Sequence, residues 1–267
     1  MSSQKLIIQI MYGGLGDHLF VTPVPRLAKE LGFYDQVFIS NKSDFRHPDY
    51  KRLVWEMNPY IDGFTDEDGS FPYIDVMPYF EKDSRINILD AVLMNYHLFD
   101  GNYWHEPELY FKPKIREDLK DKVIYDPNYV SNVGMVSGQT IEKFFKKNHV
   151  TVDFQLKVRG NTNFPIGNAL QTLETPTIED YCSAIVSCKA FYCLTSGGAT
   201  LASALEKPST CFYAYGQGKI FHHSKWHVYQ YAGSRASDFN LFRDRTSLAV
   251  KSKLPFVHNL LKKLLGK

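Results

Sequence analysis

Twice in this chain an apolar run of strand length breaks at a cluster of small residues and continues as a helix-forming stretch. Lys5–Met11 (KLIIQIM) runs into Gly13-Gly14-Leu15-Gly16, and Phe191–Leu194 (FYCL) runs into Thr195-Ser196-Gly197-Gly198. Short continuous apolar runs read as strands buried on both faces, and such strands need helical crossovers to reach a parallel neighbour. After the first turn the spacing of Leu19, Phe20, Leu27 and Leu31 predicts a helix from about Asp17 to Leu31, with Gly32 at its C-terminal cap and Gln36–Ser40 (QVFIS) as the next strand. Around the second turn, Thr177 with Glu179 and Asp180 reads as the capped, acidic start of a helix running to about Cys188. Ala199–Glu206 reads as a helix stopped by Pro208, and Thr210–Tyr213 as a strand. Two strand–turn–helix–strand modules predict an α/β protein of two Rossmann-like lobes with a ligand cleft between them. The polar Lys112-Pro113-Lys114 places the boundary so that residues 1–115 form the first lobe and 116–267 the second.

Elsewhere, His47–Asn58 reads as a helix and Pro59–Phe64 as a loop entering a short strand. Ile86–Leu93 fits strand or helix, Trp104–Phe111 is extended around Pro107, and Lys122–Tyr125 and Asn132–Val136 are strand-like. Residues 150–172 carry few periodic signals. The tail, Leu254–Lys267, has the pattern of a basic amphipathic helix, either closing on the body or serving as a foot on a membrane surface. A net charge of +2 over 267 residues gives no field that would select nucleic acid. The chain lacks a signal-peptide pattern and any apolar run of about eighteen residues, so a cytoplasmic protein is expected. Cys182, Cys188, Cys193 and Cys211 form no C-x-x-C pair and read as free buried thiols.

Chemistry is expected at the two turns. Gly13, Gly14 and Gly16 allow the backbone to approach a ligand, and Asp17 beside them either caps its helix or takes a proton from an attacking hydroxyl; His18 follows it. The turn lacks the third glycine of G-x-G-x-x-G, which disfavours a nicotinamide oxidoreductase. Thr195, Ser196, Gly197, Gly198 and Thr200 bring hydroxyls and amides to a helix start, a chemistry suited to phosphate oxygens. Ser137, ahead of Gly138-Gln139, and Tyr215 are further candidates for ligand contact. Asp66-Glu67-Asp68 could hold Mg²⁺ but reads better as a solvated acidic turn. His222, His223 and His227 cluster around Trp226 without a neighbouring Cys or acid, so no metal site is assigned, and a place beside the second turn remains open to them.

The stretches GGLGDHLFVTPVPRLAKELGF, NPYID and TIEDYCSAIVSCKAFYCLTSGGATLASALEKPSTCFYAYG, in this order, resemble the ADP-heptose:lipopolysaccharide heptosyltransferase family of GT-B glycosyltransferases. The resemblance implies a GT-B-like fold and an inverting, metal-independent transfer without a cofactor. It implies a nucleoside-diphosphate sugar held by the second lobe as co-substrate, and a surface-glycan acceptor, such as capsule or lipopolysaccharide, held by the first. By position Asp17 would be the general base, and Ser196, Gly197, Gly198 and Thr200 would line the donor diphosphate. The chain departs from the family where Thr195 replaces an acidic residue and Thr200 a histidine. It is also short between residues 137 and 177, where a lysine-bearing loop is usual; Lys143, Lys146 and Lys147 are candidates to replace it or form a solvated basic face. The departures leave a non-catalytic nucleotide- or glycan-binding relative as an alternative. The glycine-rich opening is also similar to the GGLGNQ start of fucosyltransferases, with Asp17-His18 in place of Asn-Gln.

Overall fold

A computed structural model describes residues 4–70, 76–129, 134–157, 162–163 and 171–253. In the first half, β1 (Lys5–Ile8) is followed by α1 (Leu15–Leu19), α2 (Pro23–Glu30) and β2 (Gln36–Ser40). Next come α3 (Pro48–Tyr50), widening into a π-turn over Lys51–Glu56, then β3 (Gly63–Thr65), α4 (Met77–Lys82) and α5 (Ile88–Asn95). The strands form a parallel sheet in the order β1-β2-β3, with Leu6 opposite Val37 and Ile8 opposite Ile39.

The second half builds a parallel sheet of six strands. Its elements are β4 (Val123–Asp126), β5 (Asn128–Tyr129), α6 (Gly138–Lys147), β6 (Phe154–Lys157), β7 (Thr162–Asn163), β8 (Gln171–Glu174) and α7 (Ile178–Ser187). They are followed by β9 (Ala190–Leu194), α8 (Gly197–Ala204), β10 (Ser209–Tyr213), β11 (His227–Tyr231) and α9 (Arg235–Lys253). The sheet order is β11-β10-β9-β4-β6-β8, and β5 pairs with β7 antiparallel beside it. This is the two-lobed α/β architecture expected from the twin modules.

The single helix expected over Asp17–Leu31 is two. Pro23 and Pro25 cannot donate to a continuing helix, so α1 ends, and Pro23 opens α2 at the position where its missing N–H costs nothing. The break is held by Thr22, whose hydroxyl donates to Leu19 O at 2.7 Å and accepts Glu108 N–H at 2.8 Å. The ambiguous Ile86–Leu93 is helical because Asn87 and Asp90 cap each other's backbone in a capping box. Trp104–Phe111 has no regular element, and Trp104 adopts φ 65°. Of the strand expected at 132–136, residues 132 and 133 lie outside the described residues, and Val136 makes one antiparallel bridge to Gly233. Within 150–172, β6, β7 and β8 start or lie whole, while 158–161 and 164–170 fall outside the described residues, as does the tail 254–267. Among the described residues, no helix is long and apolar enough to cross a membrane.

One buried core runs through both sheets. Leu15 and Leu19 of α1 belong to the same apolar cluster as Ala199, Leu201 and Ala202 of α8. Each buried leucine of this cluster contributes roughly 1.5–3 kcal/mol, so the helix pair joins the lobes as well as lining what lies between them. The four cysteines are buried free thiols.

Candidate active site

The starts of α1 and α8 face each other. Gly16 and Gly197 approach so closely that a Cβ on Gly16 would stand 3.3 Å from Gly197 Cα, and one on Gly197 would stand 3.2 Å from Gly16 N. Glycine is needed on both sides because two backbones occupy the space that side chains would take. The contact forms the floor of a cleft of about 250 Å³, lined from one side by Gly14, Asp17, Phe20, Arg46 and Tyr50 and from the other by Ser196–Thr200, Asn128, Tyr181, Gln217 and His223.

Asp17 accepts the N–H of Gly14 at 3.2 Å, so capping its own turn and facing the cleft are the same position. Burial pushes its carboxyl up to about 6, against the opposing pull of the Gly14 hydrogen bond and the Arg46 guanidinium; Asp44 pushes the same way as burial. The group is therefore ionised above neutrality yet more basic than a solvated aspartate, the property wanted in a base at physiological pH. Arg46 follows β2 by six residues and lies across from α8.

The α8 side is unusual in its capping. Thr177 and Ser137 occupy the N-cap positions of α7 and α6, and their hydroxyls accept first-turn amides of Asp180 and Thr140. Ser196 holds the same position on α8 but caps nothing, and its Oγ is buried without a partner among the described residues. The first amides of α8 are thus left to point into the cleft beside an unsatisfied hydroxyl, the arrangement that binds anionic oxygens. Below this turn the buried Asp126 accepts the Tyr181 hydroxyl and, from Asn128, the backbone N–H at 3.0 Å and the side-chain amide at 2.6 Å. Thr195 is tied to Gln217, whose side-chain amide donates to Thr195 O at 3.0 Å. Thr200 lies 3.2 Å from Nε2 of His223. Burial, with His227 and His222 nearby, drives the His223 pKa well down, so its ring is neutral.

Four predicted contacts lie off the cleft. Gly13 donates its N–H to Asp44 at 3.0 Å and supports the turn from behind. His18 is fully buried: the Trp55 indole, which can only donate, gives its N–H to Nδ1 at 2.9 Å, so Nε2 carries the proton and donates to Asp44 O at 2.9 Å. Burial lowers its pKa to about 4. Ser137 is used by its helix cap, and the Tyr215 hydroxyl is taken by Asp244. Asp66, Glu67 and Asp68 pair with Asn41, Lys5 and Lys42 in an exposed turn. Lys143, Lys146 and Lys147 lie on the exposed face of α6. His227 Nε2 contacts Ala199 O at 2.9 Å and His222 stacks on Tyr229, so the three histidines do not converge. Among the described residues no group of three or more His, Cys, Asp or Glu is arranged to hold a metal ion.

Arg46, Tyr50, Tyr181, Gln217 and His223 line the cleft without having been singled out for it individually. No local motif marks them, since each arrives from an element distant in sequence; the histidine cluster was the one signal that pointed near the second turn.

No protein-family model matches the chain, and no curated protein matches it in sequence. Solved structures do match. The iron-containing dodecameric glycosyltransferase TibC of enterotoxigenic E. coli H10407 is similar over 88% of this chain and 64% of its own, at 13% identity and a TM-score of 0.58. TibC in complex with ADP-D-beta-D-heptose, described as a heptosyltransferase, is similar over 87% of this chain and 63% of its own, at 13% identity and a TM-score of 0.57. A glycosyl transferase family 9 protein from Veillonella parvula DSM 2008 is similar over 92% of this chain and 89% of its own, at 10% identity and a TM-score of 0.54. The chain therefore has the fold of these proteins, in keeping with the GT-B-like architecture expected from its motifs, and it spans less than two thirds of the TibC chain.

Proposed function

We propose that this protein is a glycosyltransferase that moves a sugar from a nucleoside-diphosphate carrier to a hydroxyl of a glycan acceptor. The observation that carries the reading is the juxtaposition across one cleft of a basic carboxylate, Asp17, and an uncapped helix start whose Ser196 hydroxyl is buried and unpartnered among the described residues. The likeness in fold to glycosyltransferases, one of them complexed with ADP-D-beta-D-heptose, supports it.

In this reading the diphosphate lies against the α8 amides with Ser196 and Thr200. The acceptor hydroxyl, on the Asp17 side, attacks the anomeric carbon and gives its proton to Asp17. The new carbon–oxygen bond forms as the bond to the phosphate oxygen breaks, inverting the anomeric centre. The departing electron pair stays on the diphosphate, where the α8 amides and Arg46 stabilise it electrostatically. A surface glycan is the proposed acceptor, and the basic sequence of 254–267 suits one carried at a lipid surface.

The test is a thermal-shift and calorimetric screen with ADP, GDP, UDP and CDP and their sugar conjugates, followed by turnover of the conjugate that binds. Stabilisation by a nucleoside diphosphate, with turnover reduced by about 10²–10⁴-fold in Asp17→Asn, is the expected result. Stabilisation by free glycans alone would replace this reading with a binding module.

A further inference from the structure

We infer that His223 reads a hydroxyl of the transferred sugar through its Nδ1, in the part of the cleft walled by Phe20 and Phe221. The inference rests on the donor-site reading above and assigns the sugar's place within it.

His223 lines the cleft, yet its Nδ1 is buried and has no hydrogen-bond partner among the described residues. Its other nitrogen is engaged with Thr200 at 3.2 Å, and Phe20 stands edge-on to the ring with centroids 5.1 Å apart. Asn87 donates to the His223 carbonyl at 2.7 Å from the opposite lobe and holds the loop, while the Thr200 contact and the Phe20 ring hold the imidazole. Leaving a buried nitrogen unmatched carries a desolvation cost, which a ligand atom placed there would offset.

The chemistry of the niche selects a neutral partner. Phe20, Phe221 and Ala199 make an apolar wall, and His227 and His222 stand nearby, so a positive charge on this ring is opposed. A phosphate offers acceptors and favours an imidazolium. A sugar hydroxyl both donates and accepts, so it satisfies Nδ1 whichever nitrogen carries the proton. The α8 amides and Ser196 remain for the diphosphate, and His223, bonded to Thr200 and walled by Phe20, meets what the diphosphate carries.

The experiment compares ADP with ADP-glucose, GDP with GDP-mannose and UDP with UDP-glucose by calorimetry, on the wild type and on His223→Phe, His223→Gln and His223→Asn. In the pair that binds, His223→Phe should weaken the sugar nucleotide by about ten-fold or more and leave the nucleoside diphosphate unchanged. The amide of Asn lies near the Nδ1 position and that of Gln near Nε2. His223→Asn should therefore keep much of the sugar preference and His223→Gln should lose it, a contrast that stands even if the Phe variant fails to fold. Equal losses for both members of the pair, or no loss in Phe and Gln, overturns the assignment while leaving the donor site standing. If no nucleoside diphosphate or conjugate binds the wild type, the donor reading falls and this one with it.

Discussion

Gly198 lies directly over the Asp126 carboxylate and the Tyr181 hydroxyl, so closely that even a methyl group at this position would overlap both. The turn that presents the α8 amides is therefore built on a buried polar pair with no slack. Gly198→Ala should cost about 1–3 kcal/mol of stability, read as a lowered Tm, and should weaken nucleotide binding with it. Unchanged melting and binding would show that Asp126 and Tyr181 do not hold the turn in place.

Asp17 should show a trade between stability and activity. Its carboxyl is raised to about 6, so between the ordinary aspartate range near 4 and that value the folded protein keeps a proton the unfolded chain has released. Stability from this group consequently falls as pH rises through that window, reaching a penalty of about 1–3 kcal/mol at neutrality. Asp17→Asn should raise Tm at pH 7.5, lose the advantage toward pH 4, and reduce turnover by about 10²–10⁴-fold. A variant that melts lower than wild type at pH 7.5 would contradict the assigned pKa.

Arg46 holds Asp17 below the value that burial alone would set. Arg46→Gln should move the acid limb of the activity profile to higher pH and weaken nucleoside-diphosphate binding by about ten-fold, the loss of one charge-assisted contact. The two effects separate cleanly: a shifted pH profile with unaltered binding would confine Arg46 to tuning the base.

His18, next to Asp17 in the chain, belongs to the core. Replacing it by Phe leaves the Trp55 indole N–H buried without an acceptor, at a cost of about 1–3 kcal/mol. Differential scanning calorimetry should register that loss while nucleotide affinity in the folded variant stays near wild type. A large selective loss of affinity would return His18 to the ligand.

Both glycine turns were legible in the sequence because a strand, a turn and a helix start leave their signs within a dozen residues. The Thr177 cap and the Gly32 helix end were legible for the same reason, and Gly32 indeed sits at φ 71°. Ser137 shows the limit of such reading: a hydroxyl before a helix looks the same whether it takes the helix's own amide, as Ser137 does, or leaves it open, as Ser196 does. Arg46 was not legible as a cleft residue, since it follows β2 with nothing local to mark its destination, and the histidine cluster pointed toward the second turn without telling His223, which lines the cleft, from His222 and His227, which do not. The split of the first helix was written in Pro23 and Pro25, which the apolar stripe from Leu19 to Leu31 obscured.

Asn87 spends one amide hydrogen on the carbonyl of His223 and the other on the carbonyl of His105, at 2.7 and 2.8 Å. A single side chain thus couples the loop over the cleft to the connecting segment on the outside. Trp104, the residue before His105, has its backbone N–H pinned by Asp90 and is itself 41% exposed. Displacement of the His223 loop by an occupant should therefore disturb the segment that carries Trp104, and a change in intrinsic emission that is lost in Trp104→Phe would record it without any attached label.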